Sequence, residues 1–430
     1  MKQTMEEDRH IKEKVDPKII VALISGLVSI VSATIPLLSD TERNLMLVSA
    51  AFLIALVLMA ICIFILFQKR LYAGIAVLLL SAGVALSTLL AKQVVPTSAA
   101  LTYADTTVSV YAGNGERTYS DGDLLACSFV SPACMSTWGD SVYVADSDRV
   151  RCLENGQAVT EPFPASRYNA LMVRNLESDL YVLAENRQME NEKYYNFFLR
   201  IRNHEAEVVS GRLDVGAFSA TVPDFAFSRG GVLWFIRLYD APGQATATLQ
   251  KLSYDRDADR YGPPEWAKDF NYEVDDMRES RMVFDADDNL YVSVPGKGII
   301  LRLGNGEQEF QVFAGTPDEH AFNDQGQFTF SYPTALLPEN GRLYVLDNGT
   351  VRMLTVDGGH ATACETLAGV TPEVLNSGKV NIRTLEPGET VAGVDFAFPA
   401  HVKGSLALDN RGRLLLSDPE NSFIYQIWQN

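Results

Sequence analysis

Asp255, Asp257 and Asp259 stand at alternate positions, the spacing of the first three oxygen ligands of a calcium loop of the EF-hand type. Such a loop also needs a glycine at its sixth position and a bidentate glutamate at its twelfth. Arg260 and Trp266 occupy those places, so the triplet reads as a hairpin connection. A second acidic set, Asp146, Asp347 and Asp418, recurs at the ends of similar apolar runs. Recurrence in that position favours accepting backbone hydrogen bonds and shaping a turn over holding a metal. The stretch "VYAGNGERTYSDG" (110–122) is rich in glycine, but Glu116 and Arg117 follow Gly115 where a phosphate loop needs Lys and Ser or Thr. His204, His320, His360 and His401 are dispersed, no CxxC occurs, and no Gly-x-Ser-x-Gly elbow is present. No catalytic residue, metal or cofactor is therefore expected.

The elements that carry these residues repeat. "VYAGNGERTYSDGDLLACSFVSPACMSTWGDSVYVADSDRVRCL" and "VFAGTPDEHAFNDQGQFTFSYPTALLPENGRLYVLDNGTVRML" share one grammar, and "TLAGV" followed by "FAFPAHVKGSLALDNRGRLLLSDPENSFIYQI" is a third copy. Gly113, Gly315 and Gly369 correspond, as do Phe129 with Pro132, Phe330 with Pro333, and Phe396 with Pro399. Weaker copies lie between them, so that Tyr143, Tyr181, Trp234, Tyr291, Tyr344 and Leu415 mark six units. Each unit holds short runs of period two bounded by turn residues, the pattern of an antiparallel sheet. Sheets of four strands arranged in a ring protect the edges that each would otherwise expose.

These residues resemble the NHL-repeat β-propeller family, closely in units one, five and six and loosely in two to four. The resemblance covers roughly residues 105–430 and implies a six-bladed all-β ring. Closure follows from counting strands. The last unit ends at its third strand, "FIYQIWQN", and "TVSVYAG" near the start is the only spare outer strand to complete it.

In such a ring the loops after outer strands and after second strands share one face, and the longest loops of this chain fall there. Arg187, Tyr194, Tyr195, Arg237 and Tyr239 supply guanidinium and aromatic groups of the kind enriched at contacts, and are the expected ligand-binding residues. The expected function is a ligand-binding or protein-binding module whose partner is a protein, peptide or glycan. The alternative is a propeller enzyme, a lyase, lactonase or hydrolase, acting on a small substrate.

Residues 1–100 differ in character. Three uncharged runs, 19–38, 45–67 and 71–91, are each long enough to cross roughly 30 Å of hydrocarbon as a helix. A cleavable leader is the alternative for the first, although no small-residue cleavage site stands out at "IPLLSDTERN". Lys2, Arg9, Lys12, Lys14, Lys18, Lys69 and Arg70 flank one side and Arg43 and Lys92 the other, which places the N-terminus in the cytoplasm. The expected organisation is a cytoplasmic tail (1–18), three transmembrane helices (19–91) contacting the lipid bilayer, a linker (92–107) and an extracytoplasmic propeller (108–430). No ionisable group lies within a run, which argues against a transporter. The chain's net charge of −18 is concentrated beyond residue 100 and excludes nucleic acid as a partner. Cys127, Cys134, Cys152 and Cys364 allow three pairings if all are bridged. A local Cys127–Cys134 bridge and free buried thiols are both open.

Overall fold

The computed structural model describes residues 101–189, 194–213, 220–239, 245–371, 385–399 and 403–429. Six antiparallel sheets form the blades, and a separate two-stranded hairpin, Tyr254–Asp255 with Arg260–Tyr261, lies within the chain of blade 3. Blade 1 runs Pro132–Trp138, Ser141–Asp146, Arg149–Glu154 and Gln157–Thr160, with Gly122–Asp123 added outside. Blade 2 is Tyr168–Leu176, Asp179–Asn186, Asn196–Arg202 and Glu205–Val208, and blade 3 is Phe225–Phe227, Leu233–Tyr239, Thr246–Leu252 and Glu265–Asp269. Blade 4 is Met282–Phe284, Leu290–Val294, Ile299–Leu303 and Gln311–Ala314, and blade 5 is Pro333–Glu339, Arg342–Asp347, Thr350–Asp357 and His360–Ala368. Blade 6 takes Leu406–Leu408, Leu414–Asp418 and Phe423–Gln429 from late in the chain and Thr106–Ala112 from the start of the ring.

The expected ring closure is therefore present: Val108 pairs with Ile427 and Val110 with Tyr425. Thr390–Ala392, from the long connection before blade 6, pairs outside Thr107–Ser109. The closing strand is thus covered on both edges, and a short additional strand blunts the outer edge of this blade.

The six marker residues hold one register, each opposite the same inner-strand position: Tyr143 with Ser136, Tyr181 with Arg174, Trp234 with Ala226, Tyr291 with Val283, Tyr344 with Leu337 and Leu415 with Ala407. Middle strands are sandwiched between neighbouring blades, so Leu290–Val294 and Leu414–Asp418 are buried throughout instead of alternating. The outer strand Glu205–Val208 keeps three of its four residues exposed. The core accordingly lies between blades, as in the cluster of Tyr291, Ile300 and Ala314 with Leu336, Val345 and Leu354 at the joint of blades 4 and 5.

The expectation of an all-β ring preceded by three transmembrane helices is corrected. Among the described residues no helix is long and apolar enough to cross a membrane. The one described α-helix, Val274–Met277, has four residues, about 6 Å of rise against the roughly 30 Å required. The three apolar runs on which the expectation rests lie outside the described residues. The expected multi-pass membrane location with an extracytoplasmic ring is likewise not supported by any helix among the described residues. Cys127, Cys134, Cys152 and Cys364 are all free and buried, so the local bridge does not form.

Candidate functional site

The repeated residues build the joints. Asp146 Oδ1 accepts the N–H groups of Val130 and Ser131 at 2.9 and 2.6 Å, and the two carboxylate oxygens of Asp347 accept those of Ser331 and Tyr332 at 3.2 and 2.6 Å. Each fixes the turn between the Phe and Pro of its own motif. Beneath the turn lies a fully buried arginine: Arg151 sits 5.2 Å from the Phe129 ring centre, and Arg352 sits 4.5 Å from that of Phe330. Arg151 pairs with Asp146 and Asp121, and Arg352 with Asp347 and Asp324. A buried guanidinium is stable only when paired and hydrogen-bonded; Arg151 also donates to the carbonyls of Ser128 and Ser120, and Arg352 to those of Thr329 and Asn323, while Arg151 Nε is left without a partner.

Asp418 departs from this pattern. Its carboxylate accepts from Glu420 N, Asn421 N and Asn421 Nδ2 within its own turn. The arginine's register position is held by Tyr425, 5.0 Å from Phe396. Described residues include Pro399, but its neighbour at 400 is outside them.

The aspartate triplet forms the expected hairpin, with Tyr254 and Asp255 pairing Tyr261 and Arg260. Asp255 caps the turn through the N–H groups of Asp257 and Ala258. Hydrogen bonds from Arg200 and Tyr254 hold Asp259 far below the usual carboxylate range. Among the described residues no group of three or more His, Cys, Asp or Glu converges as metal ligands would. His204 contacts Glu161 at 3.1 Å, His320 contacts the Ser331 carbonyl at 2.7 Å, and His360 opens the outer strand of blade 5. His401 lies outside the described residues.

The five expected ligand-binding residues sit at the second-to-third-strand ends of blades 2 and 3. Arg187 donates to Asp148 at 2.6 Å and to the Ala165 carbonyl at 2.9 Å. Tyr194 is exposed, whereas Tyr195 is buried with the Arg212 guanidinium 4.3 Å from its ring centre. Arg237 takes the register position that aspartate holds in blades 1, 5 and 6, and its Nε is buried without a partner. Tyr239 ends its strand opposite Ala220 and Thr246.

The largest convergence of chemistry lies elsewhere, on the inner strands. A cavity of about 330 Å³ occupies the central channel and draws lining residues from all six blades. Its polar lining is Ser136, Thr137, Arg174, Asn175, Arg281 and Ser405, from blades 1, 2, 4 and 6, and its apolar lining includes Phe227, Phe284, Leu336, Leu337, Pro338 and Leu406, from blades 3 to 6. No histidine and no carboxylate lines it. Neighbouring blades are clipped together around the channel. Met135 N donates to Ser405 Oγ at 2.7 Å, Asn175 N donates to Ser136 Oγ at 2.9 Å, and Met282 N donates to Asp224 Oδ2 at 2.9 Å.

The two ends of the channel differ. On the face of the long loops, Lys403, just before the inner strand of blade 6, pairs at 2.5 Å with Glu279, just before that of blade 4. That pair spans blade 5, whose Tyr332 is pushed above its ordinary range by burial and then by the Glu279 carboxylate. On the opposite face the cavity shares Asn175, Phe227 and Phe284 with a wider recess of about 690 Å³, bordered by Glu177, Arg229, Asp285 and Asp287. A third recess of about 570 Å³ continues from Phe284 and Pro338 between the turns of blades 4 and 5. None of the five expected residues lines these three spaces. The sequence signal for the cavity was the pair of arginines at inner strands, Arg174 opposite the marker Tyr181 and Arg281 two residues before Val283, the partner of Tyr291.

The ring is similar to two structures described as auxiliary nutrient binding proteins. That from Bacteroides thetaiotaomicron VPI-5482 is 14% identical, with 75% of this chain and 76% of the other covered at a TM-score of 0.52. That from Bacteroides ovatus ATCC 8483 is 16% identical, with 76% and 77% covered at a TM-score of 0.51. A virginiamycin B lyase from Staphylococcus aureus is 12% identical, with 76% and 100% covered at a TM-score of 0.44. At these identities the likeness establishes the six-bladed propeller fold alone. No protein-family model matches the sequence, and no curated protein matches it either.

Proposed function

We propose that this chain is a ligand-binding β-propeller of the NHL-repeat kind, and that its ligand is a small molecule held in the central channel. The observation that carries this reading is the make-up of the cavity: fixed polar groups and apolar side chains together around one channel, with a volume within the range of small-molecule sites. The reading favours binding over catalysis because general acid–base chemistry needs a group that titrates near neutral pH, and the lining offers guanidinium, amide and hydroxyl groups only. Rigid walls from six blades suit recognition without closure, since little ordering is needed when a ligand enters. The ligand enters from the face of the first-to-second-strand turns, where the cavity is continuous with the wider recess through Asn175, Phe227 and Phe284.

The test uses ligand-observed NMR with a chemically diverse fragment set on the full chain and on Ala226→Trp, which fills the channel from blade 3. Fragments that bind the wild type and are lost in the variant support the reading. A set in which no hit is lost in the variant overturns it.

A further inference from the structure

We propose that the channel ligand is a small zwitterion the length of a short peptide, its carboxylate on Arg281 and its ammonium group at the mouth; this rests on the channel being the binding site. The two arginines of the cavity are not equivalent. Arg174 is neutralised, its Nη2 lying 2.9 and 3.2 Å from the two oxygens of the buried Asp224. Arg281 lines the same cavity, and no carboxylate among the described residues pairs with it. Its Nη1 donates to the carbonyls of Pro223 at 3.0 Å and Ser280 at 3.2 Å, which anchors the guanidinium toward the strapped end and leaves the Nε–Nη2 edge for a ligand. That edge is the fork that takes a carboxylate through two parallel hydrogen bonds. A cavity guanidinium with no carboxylate partner among the described residues favours an anionic group.

The other end has the opposite character. Asn175 Oδ1 is buried without a hydrogen-bond partner and can only accept. Beyond it the recess that continues the cavity is lined by the carboxylates of Glu177, Asp285 and Asp287 against the single guanidinium of Arg229, a rim of net negative charge. The channel axis thus runs from cation to acceptor to anion. A simple carboxylate would meet the rim's repulsion with nothing in return, whereas a zwitterion entering carboxylate first satisfies both ends. In register, Arg281 corresponds to Cys134 and Asn175 to Thr137, three residues apart along an inner strand. At about 3.3 Å per residue this is roughly 10 Å, the extended length of about three residues. Phe227, Phe284 and Leu337 supply an apolar wall for the body between.

The experiment is isothermal titration of the full chain with Ala-Ala-Ala, its N-acetyl form, its C-terminal amide and 6-aminohexanoate, which separates a peptide from any zwitterion of like length. The free tripeptide is expected to bind, and each capped form to bind at least tenfold more weakly. Arg281→Met should weaken the free acid at least tenfold and leave the amide unchanged, a pattern that a merely structural role would not produce. Arg281→Lys should fall between them. If Arg281→Met fails to fold, Leu337→Glu places a carboxylate in the cavity while leaving the Arg281 anchors intact, and should abolish binding. Asn175→Asp should strengthen binding of the free tripeptide several-fold. Equal binding of the free acid and the amide, or of the free amine and the acetylated form, overturns the proposal. If no zwitterion binds while other fragments are lost in Ala226→Trp, this inference falls and the channel reading stands; if neither is seen, both fall.

Discussion

Asp224 at the start of blade 3 accepts from Arg174 Nη2 of blade 2 through both carboxylate oxygens, while its Oδ2 also accepts the backbone N–H of Met282 in blade 4. One fully buried carboxylate thereby ties three consecutive blades. Removing one partner of a buried pair leaves the other uncompensated, at a cost of about 3–5 kcal/mol. Asp224→Ala is expected to lose that much in urea denaturation, and Arg174→Met, which keeps an extended side chain but leaves Asp224 without its partner, should lose a comparable amount. A loss below about 1 kcal/mol in both would show that the clip is dispensable.

Asp324 gives the ring an acid-sensitive joint. Burial pushes its carboxyl up, but Arg352, Cys364, Thr366 and the Thr102 N–H together hold it below the usual carboxylate range. A depressed carboxyl contributes stability that is complete above the unfolded value near ~4 and is lost as the pH falls through the folded one. Asp324→Asn should therefore be destabilised at pH 7, with the gap to wild type narrowing below about pH 4. Equilibrium denaturation across pH 3–7 measures it, and a gap that is constant with pH would contradict the assignment.

Gly369 marks how tightly the outer strands are seated. Its φ is +94°, and a Cβ there would lie 2.2 Å from the Gly349 carbonyl, in the turn of the same blade; Gly315 meets the Gly298 carbonyl and Gly113 the Ser422 carbonyl in the same way. Backbone held in this region costs a non-glycine residue about 1–3 kcal/mol even before the clash. Gly369→Ala should lower stability by at least that much, whereas Gly388→Ala, with φ +92° and open space around it, should show the backbone cost alone. Equal losses at the two sites would remove the close-approach argument.

Ring closure predicts a large effect from a small deletion. Removing residues 108–113 takes away the strand that pairs Phe423–Gln429 on one side and Thr390–Ala392 on the other. The thermal transition should broaden and shift well below that of the wild type. A deletion variant that keeps the wild-type melting temperature would refute closure as the source of stability.

Tyr194 and Tyr195 should separate sharply. Tyr195 is 8% exposed and stacked under Arg212, so Tyr195→Ala should cost about 3 kcal/mol or more. Tyr194 is 45% exposed, and Tyr194→Ala should fall within about 0.5 kcal/mol of wild type.

The ring was legible because its signals are local. Ala-Gly, Phe-x-x-Pro and the strand-end aspartate each report a backbone requirement of one turn, and such requirements recur wherever the turn recurs. Asp121 and Asp324 stand at matching places in "TYSDG" and "AFNDQG", but they act on arginines in a different strand, and no local rule joins them. Arg237 in the aspartate position was invisible for a related reason: the register that equates it with Asp146 exists only once strands pair. The cavity was the least legible element. Ser136, Arg174, Arg281 and Ser405 are far apart in sequence and meet only because six inner strands surround one axis. The uncharged runs before residue 100 lie outside the described residues, among which no helix is long and apolar enough to cross a membrane.

The composition of blade 6 also sets an order of events during synthesis. Its outer strand, Thr106–Ala112, is made before any other part of the ring, and its third strand, Phe423–Gln429, is made last. Blades 1 to 5 can pair locally as they emerge, but the arc they form holds Val108 and Val110 without their partners until the whole ring has left the ribosome. Contacts of such long sequence separation form slowly, and an unpaired apolar strand invites pairing with other chains. The interval between translation of blade 5 and capture of this strand is therefore when the protein is most exposed to misassembly.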